Sequence, residues 1–121
     1  MSRYYKVVRA VGEEYHSAIE IADRLKYKIG EKTIAKIGGI FVFNHWFEAN
    51  SFINGTNLIV LIVEVDPKEE IKEFPHDNAL MSAKERWDRR SRKEKYAYPT
   101  GTRLFKSVTP IKMIGRNYCE K

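Results

Sequence analysis

The chain has 121 residues, 43% hydrophobic and 12% aromatic, with a net charge of +6. That length gives one domain, residues 1–121, large enough for a single core, and the composition excludes a disordered polymer. No apolar run approaches the roughly eighteen residues of a membrane helix, no export signal opens the chain, and the single cysteine, Cys119, excludes an internal disulfide, so a reducing cytoplasm is the expected location.

Residues 3–10 alternate Tyr5, Val7 and Arg9 with Tyr4, Lys6 and Val8, the period of a first strand. Gly12 marks a turn into a second strand near Tyr15–Glu20. Leu25, Tyr27 and Ile29 alternate with Lys26 and Lys28 in a third, and 34–37 reads as irregular. After Gly38-Gly39, the unbroken run Ile40–Phe43 suits a central strand. Asn44 then offers a cap for a short helix carrying Trp46, Ala49, Phe52 and Ile53, which Asn54-Gly55 ends. Whether Phe43 and Trp46 line a pocket or only the core stays open at this point.

Leu58–Val65 is the strongest strand and reads as covered on both faces, with Asp66-Pro67 closing it. Asp77 is placed to cap a helix running to about Glu94, with Leu80, Ala83, Lys84 and Trp87 on one stripe. Thr102–Val108 and Ile111–Ile114 complete the chain as strands. The expected fold is α+β: a mostly antiparallel sheet with one short helix and one longer basic helix packed against it.

Charge is distributed unevenly. Between Lys84 and Lys106 stand nine Lys or Arg against three acids, which accounts for the whole net charge, while the remainder carries thirteen of each sign. On a continuous helix, Arg86, Arg90 and Lys93 recur at i, i+4 and i+7 with Arg89 and Arg92 beside them. Helix stability alone disfavours such like-charge spacings. Arginine predominates, and its fork grips phosphate oxygens in two-pronged fashion. The segment that follows supplies stacking rings in Tyr96 and Tyr98, small groups in Thr100, Gly101 and Thr102, and one more cation in Arg103. These ten residues (Arg86, Arg89, Arg90, Lys93, Tyr96, Tyr98, Thr100, Gly101, Thr102, Arg103) form the expected ligand site. Charge confined to one segment favours a compact phosphorylated ligand over a nucleic-acid polymer, whose contacts spread over several elements.

Signatures of catalysis are sparse. The histidines, His16, His45 and His76, are isolated in sequence, and the chain has no HExxH, GxSxG, Walker A or GxGxxG pattern. A His16-Ser17 pair on one strand points to opposite faces, and Glu64 and Asp66 at a strand end read as solvated carboxylates. No catalytic residue, metal or cofactor is therefore expected.

The order of short motifs supplies a further expectation. Tyr4–Arg9, Tyr27-Lys28-Ile29-Gly30, Gly39–Phe43 before a helix with Ala49 and Phe52, Leu61–Val65, Pro99-Thr100-Gly101-Thr102 and Ser107–Ile111 follow one another in a layout that resembles the first family of Thoeris anti-defence proteins. Those are phage sponges that sequester cyclic ADP-ribose signals made by TIR-domain enzymes, and some members also take cyclic oligonucleotides of CBASS defence in a symmetric assembly. The resemblance implies a non-enzymatic, homo-oligomeric protein that binds a cyclic nucleotide without cleaving it. The rival expectations are an RNA- or DNA-binding phage protein, a cyclic nucleotide phosphodiesterase, and an interaction protein whose basic helix docks an acidic partner.

Overall fold

The first strand organises the molecule. In the computed structural model, which describes residues 2–18, 25–53, 57–78 and 80–114, β1 spans Ser2–Val11. Along one edge it pairs antiparallel with β6 (Leu58–Val65) through eight consecutive registers, from Ser2↔Val65 to Arg9↔Leu58. The other edge is shared. β5 (Ile40–Phe43) meets it at Tyr5↔Phe43, while β2 (Glu14–Ser17), joined by the Gly12 hairpin, pairs from Val8↔Ser17 to Val11↔Glu14. Between these two partners, Lys6 and Val7 have no strand register on that edge.

The remaining strands extend both flanks. β3 (Lys26–Tyr27) pairs with β2, and β8 (Thr102–Phe105) lies between β5 and β7 (Glu70–Ile71). On the far side β9 (Ser107–Ile114) pairs with β6 and with β4 (Thr33–Ile34). The resulting order is β4-β9-β6-β1-β5-β8-β7, all antiparallel. The β6–β9 ladder shifts register between Ile62 and Val63, where Pro110 sits opposite Val63. Proline has no N–H for the ladder, so a bulge is the natural solution.

Alternation along the strands makes two apolar faces. Val8, Val42, Leu61, Val63, Phe105 and Val108 point one way and are covered by Leu25 and Tyr27. Tyr5, Val7, Phe43, Val60 and Ile62 point the other way, against α1 (Trp46–Phe52). β6 is thus buried on both faces at its centre, as its continuous apolar run implies. A satellite cluster of Phe74, Trp87 and Leu104, with Phe41 and Tyr98, seats α2 (Ala83–Asp88). The fold is α+β with a mostly antiparallel sheet and two helices.

Some local expectations are corrected. The N-cap of α1 is His45 rather than Asn44: the Glu48 carboxylate accepts from the His45 N–H at 3.1 Å, and Asn44 instead accepts from Arg103 at 3.3 Å. Of the stretch 34–37, expected to be irregular, Ile34 alone belongs to a strand, β4, and Ile29, expected on the buried side, is 41% exposed. The long basic helix is broken into pieces. Asn78 forms a local turn, its side chain accepting from Leu80 N–H at 3.0 Å, and Leu80 is 96% exposed rather than on a buried stripe. Ser82 then caps α2 by accepting from Glu85 N–H at 3.2 Å. After Asp88, Ser91 bridges Phe74 in an antiparallel contact that pulls the chain away from the helix axis, and residues Lys93–Ala97 form a separate 3-10 turn. The end of the second strand at Glu20, the Asn54-Gly55 helix stop and Cys119 lie outside the described residues.

Candidate functional site

Breaking the helix dissolves the face that Arg86, Arg90 and Lys93 were expected to share. Arg86 is on α2 and half-buried, Arg90 follows it, and Lys93 opens the 3-10 turn as an exposed side chain. Arg90 donates to the Trp87 carbonyl at 2.9 Å and stands 3.8 Å from Glu73. Arg89 is exposed at the helix end, and Tyr96 is 88% exposed.

The Pro99–Arg103 segment is tied into the fold. Thr102 is 4% exposed, and its hydroxyl donates to the Pro99 carbonyl at 2.6 Å. The Gly101 carbonyl accepts from Asn44 N–H at 3.0 Å, and Gly101 itself has φ +85 with the Glu48 carboxylate lying where a Cβ would be. The positive φ favours glycine there, and a side chain would also displace the Glu48 carboxylate. Thr100 is exposed beside it. Arg103 grips Glu70 with two nitrogens, one of them at 2.6 Å, and lies over the Tyr4 ring at 5.7 Å. Its guanidinium serves the β7–β8 pair, and hydrogen bonding to it holds the Glu70 carboxyl below its ordinary value.

What the expected site retains is Arg86, Tyr98 and Thr102, because all three line one cavity of about 280 Å³. The strand pairing explains where that cavity lies. β1 exchanges β5 for β2 along one edge, and the fork between them opens beside Lys6 and Val7. Ser17, Leu25 and Tyr27 form one wall, Ile40, Phe41 and Phe43 another, and Trp87, Arg86 and Asp77 come from the α2 segment. Phe43 therefore lines the cavity as well as the core.

The α2 wall is held firmly. The Trp87 ring, 8% exposed, packs where a Cβ on Gly38 would stand, and Gly38 has φ +61. Tyr98 stacks on Phe41 with centroids 5.1 Å apart, and its hydroxyl donates to the Pro75 carbonyl at 2.8 Å. Burial, with Asp77 nearby, pushes its phenol up to about 12. Arg86 donates through Nε to the Asn78 carbonyl at 2.8 Å, and its two terminal nitrogens make no hydrogen bond among the described residues.

Lys6 is the residue that sequence reasoning passed over. It projects from the same face of β1 as Tyr4 and Val8, its ammonium 5.8 Å from the Tyr27 ring centroid. No carboxylate pairs with it among the described residues, and burial lowers its amine to about 8. The available signal was a lysine between Tyr4 and Val8 on a strand face that is otherwise apolar. No group of three His, Cys, Asp or Glu with metal-holding geometry occurs among the described residues. No helix among them is long and apolar enough to cross a membrane. No family model matches the chain, and no curated protein or solved structure matches it either.

Proposed function

We propose that this chain is a binding protein that captures a small nucleotide-type signal in the fork cavity and releases it unchanged. The observation that carries the proposal is the combination of Phe41, Trp87 and Tyr98 with Arg86, whose terminal nitrogens have no partner among the described residues. Ring faces suit a base, and a free guanidinium fork suits a phosphate. Such capture requires no general base. At about 280 Å³ the cavity falls just below the usual span of ligand sites, about 300 to 1,000 Å³. On size it favours a cyclic ADP-ribose isomer over a cyclic oligonucleotide of several units. A symmetric homo-oligomer in the host cytoplasm, as the family resemblance implies, belongs to the same proposal.

Calorimetry with cyclic ADP-ribose tests it. Wild type should bind, and heat denaturation followed by chromatography should return the ligand whole. Arg86→Ala should weaken binding by at least tenfold, about 1.4 kcal/mol, while Arg89→Ala with Arg90→Ala should change it little. No binding by wild type, or equal binding by Arg86→Ala, defeats the reading, and a cleaved product converts it into an enzyme.

A second reading rests on the surface. Arg89, Arg92, Lys93, Lys95 and the 88%-exposed Tyr96 are all exposed within the eight residues 89–96, a cationic segment with a stacking ring that suits single-stranded nucleic acid. Binding of an oligonucleotide that falls steeply with salt and is lost in Tyr96→Ala would favour it.

A further inference from the structure

Lys6 has a different use from the arginines. We infer that its side chain is a reactive amine at the fork of the sheet, built to form an imine with a carbonyl-bearing small molecule that enters the cavity. The argument starts from position. Lys6 stands on the central strand at the point where β5 has left and β2 has not begun, so the cavity opens beside it. Its ammonium lies 5.8 Å from the Tyr27 ring centroid, and it shares the cavity lining with Val7, Leu25, Ile40 and Ser17. The two other charged residues on the cavity wall, Asp77 and Arg86, both come from the α2 segment.

Such surroundings favour the neutral amine. An ammonium in an apolar cleft gives up hydration, and here no carboxylate among the described residues compensates it, so burial brings the amine to about 8 from 10.5. At neutral pH the neutral fraction is then on the order of a hundredfold larger than for a lysine in water. The neutral form is the nucleophile that carbonyl chemistry requires. In the reaction the Nζ lone pair bonds to the carbonyl carbon, giving a carbinolamine. The carbonyl oxygen then leaves as water with the two protons of the amine, and a carbon–nitrogen double bond remains. No oxidant or reductant takes part. Tyr27, whose phenol is raised by burial and hydrogen-bonded with Ser17, stays protonated on the adjoining wall.

The inference shares the cavity with the nucleotide proposal but does not depend on it, and the test separates them. The full chain is incubated near neutral pH with pyridoxal, and separately with pyridoxal 5′-phosphate. Borohydride fixes the imines, and mass mapping of tryptic peptides ranks the lysines. Lys6 should be labelled at least tenfold faster than exposed lysines such as Lys36 and Lys93, with either probe. Lys6→Arg, which keeps the charge and a long side chain, should lose that fast component. Uniform labelling, or protection of Lys6 relative to the surface, overturns the inference and leaves the nucleotide proposal intact. Fast labelling of Lys6 in a protein that ignores cyclic ADP-ribose supports the amine and removes the nucleotide. The wild-type map decides even where Lys6→Arg fails to fold.

Discussion

The basic stretch of 84–106 and the fork cavity hold their charges in opposite ways. Arg86 belongs to both regions, but the other cations of the stretch are either compensated or hydrated: Lys84 pairs with Asp88 at 2.8 Å, Arg103 grips Glu70, and Arg89, Arg92 and Lys93 lie exposed. In the cavity there are only two cations, Lys6 and Arg86, and neither is ion-paired among the described residues. A charge in water is screened within about 10 Å, whereas one among apolar groups is not. Density of charge along a sequence therefore measures less than the absence of a partner in a half-buried cleft.

The seat of α2 offers the largest test of that contrast, because it decides whether the cavity has its third wall. Gly38→Ala should destabilise the protein by about 3 kcal/mol, combining an unfavourable positive φ with intrusion into the Trp87 ring. Gly12→Ala is the control: its φ is also +61, but nothing stands within 4 Å of the added Cβ, so about 1 kcal/mol is expected. Urea denaturation of the two variants measures the difference. Equal losses would mean that Trp87 yields without cost and that the α2 wall is not rigid.

Elements whose burial follows directly from the local apolar pattern, alternating in β1 and unbroken in β5 and β6, were legible in the sequence. β1, β5 and β6 lie where the apolar pattern puts them, and β6 is covered on both faces as read. The helix at 77–94 was not, because a local competitor defeated the periodicity. Asn78 closes its own turn, and the Phe74–Ser91 bridge ends α2 after Asp88. The Arg103–Glu70 pair spans thirty-three residues, and no local pattern announces a contact of that separation. The cavity was invisible for a deeper reason. It arises where β1 exchanges one neighbour for another, a property of pairing and not of any segment. Lys6 alone carried a hint, as a cation on an apolar strand face.

Glu70 gives the compensated region its own signature. Arg103 holds the Glu70 carboxyl below 4.5, so the unfolded chain takes up this proton first as pH falls. The stabilisation is complete above about pH 4.5 and disappears as pH drops through the lower folded value. Glu70→Gln should cost about 2 kcal/mol at neutral pH, less than a fully buried pair would because Arg103 is partly hydrated. Thermal unfolding from pH 7 to pH 3 should show a shallower acid decline for the variant. Ligand capture in the fork should be unaffected, since neither Glu70 nor Arg103 lines the cavity.

The uncompensated region predicts the reverse slope at the other end of the scale. Lys6 titrates near 8 in the folded chain and near 10.5 when unfolded, so between those values the unfolded state binds more protons. Stability should rise with pH through that window, by about 1 kcal/mol once water entering the cavity has eased the desolvation. Tyr27 and Tyr98, raised by burial, act in the opposite sense once phenols in the unfolded chain ionise, which confines the clean window to roughly pH 8–10. Lys6→Met should be flat there and more stable than wild type at pH 7, while Asp77 and Arg86 remain in both proteins and cancel in the comparison. A wild type with no alkaline gain relative to Lys6→Met would mean that the ammonium is already satisfied at the fork, and the contrast between the two regions would fail at its smaller end.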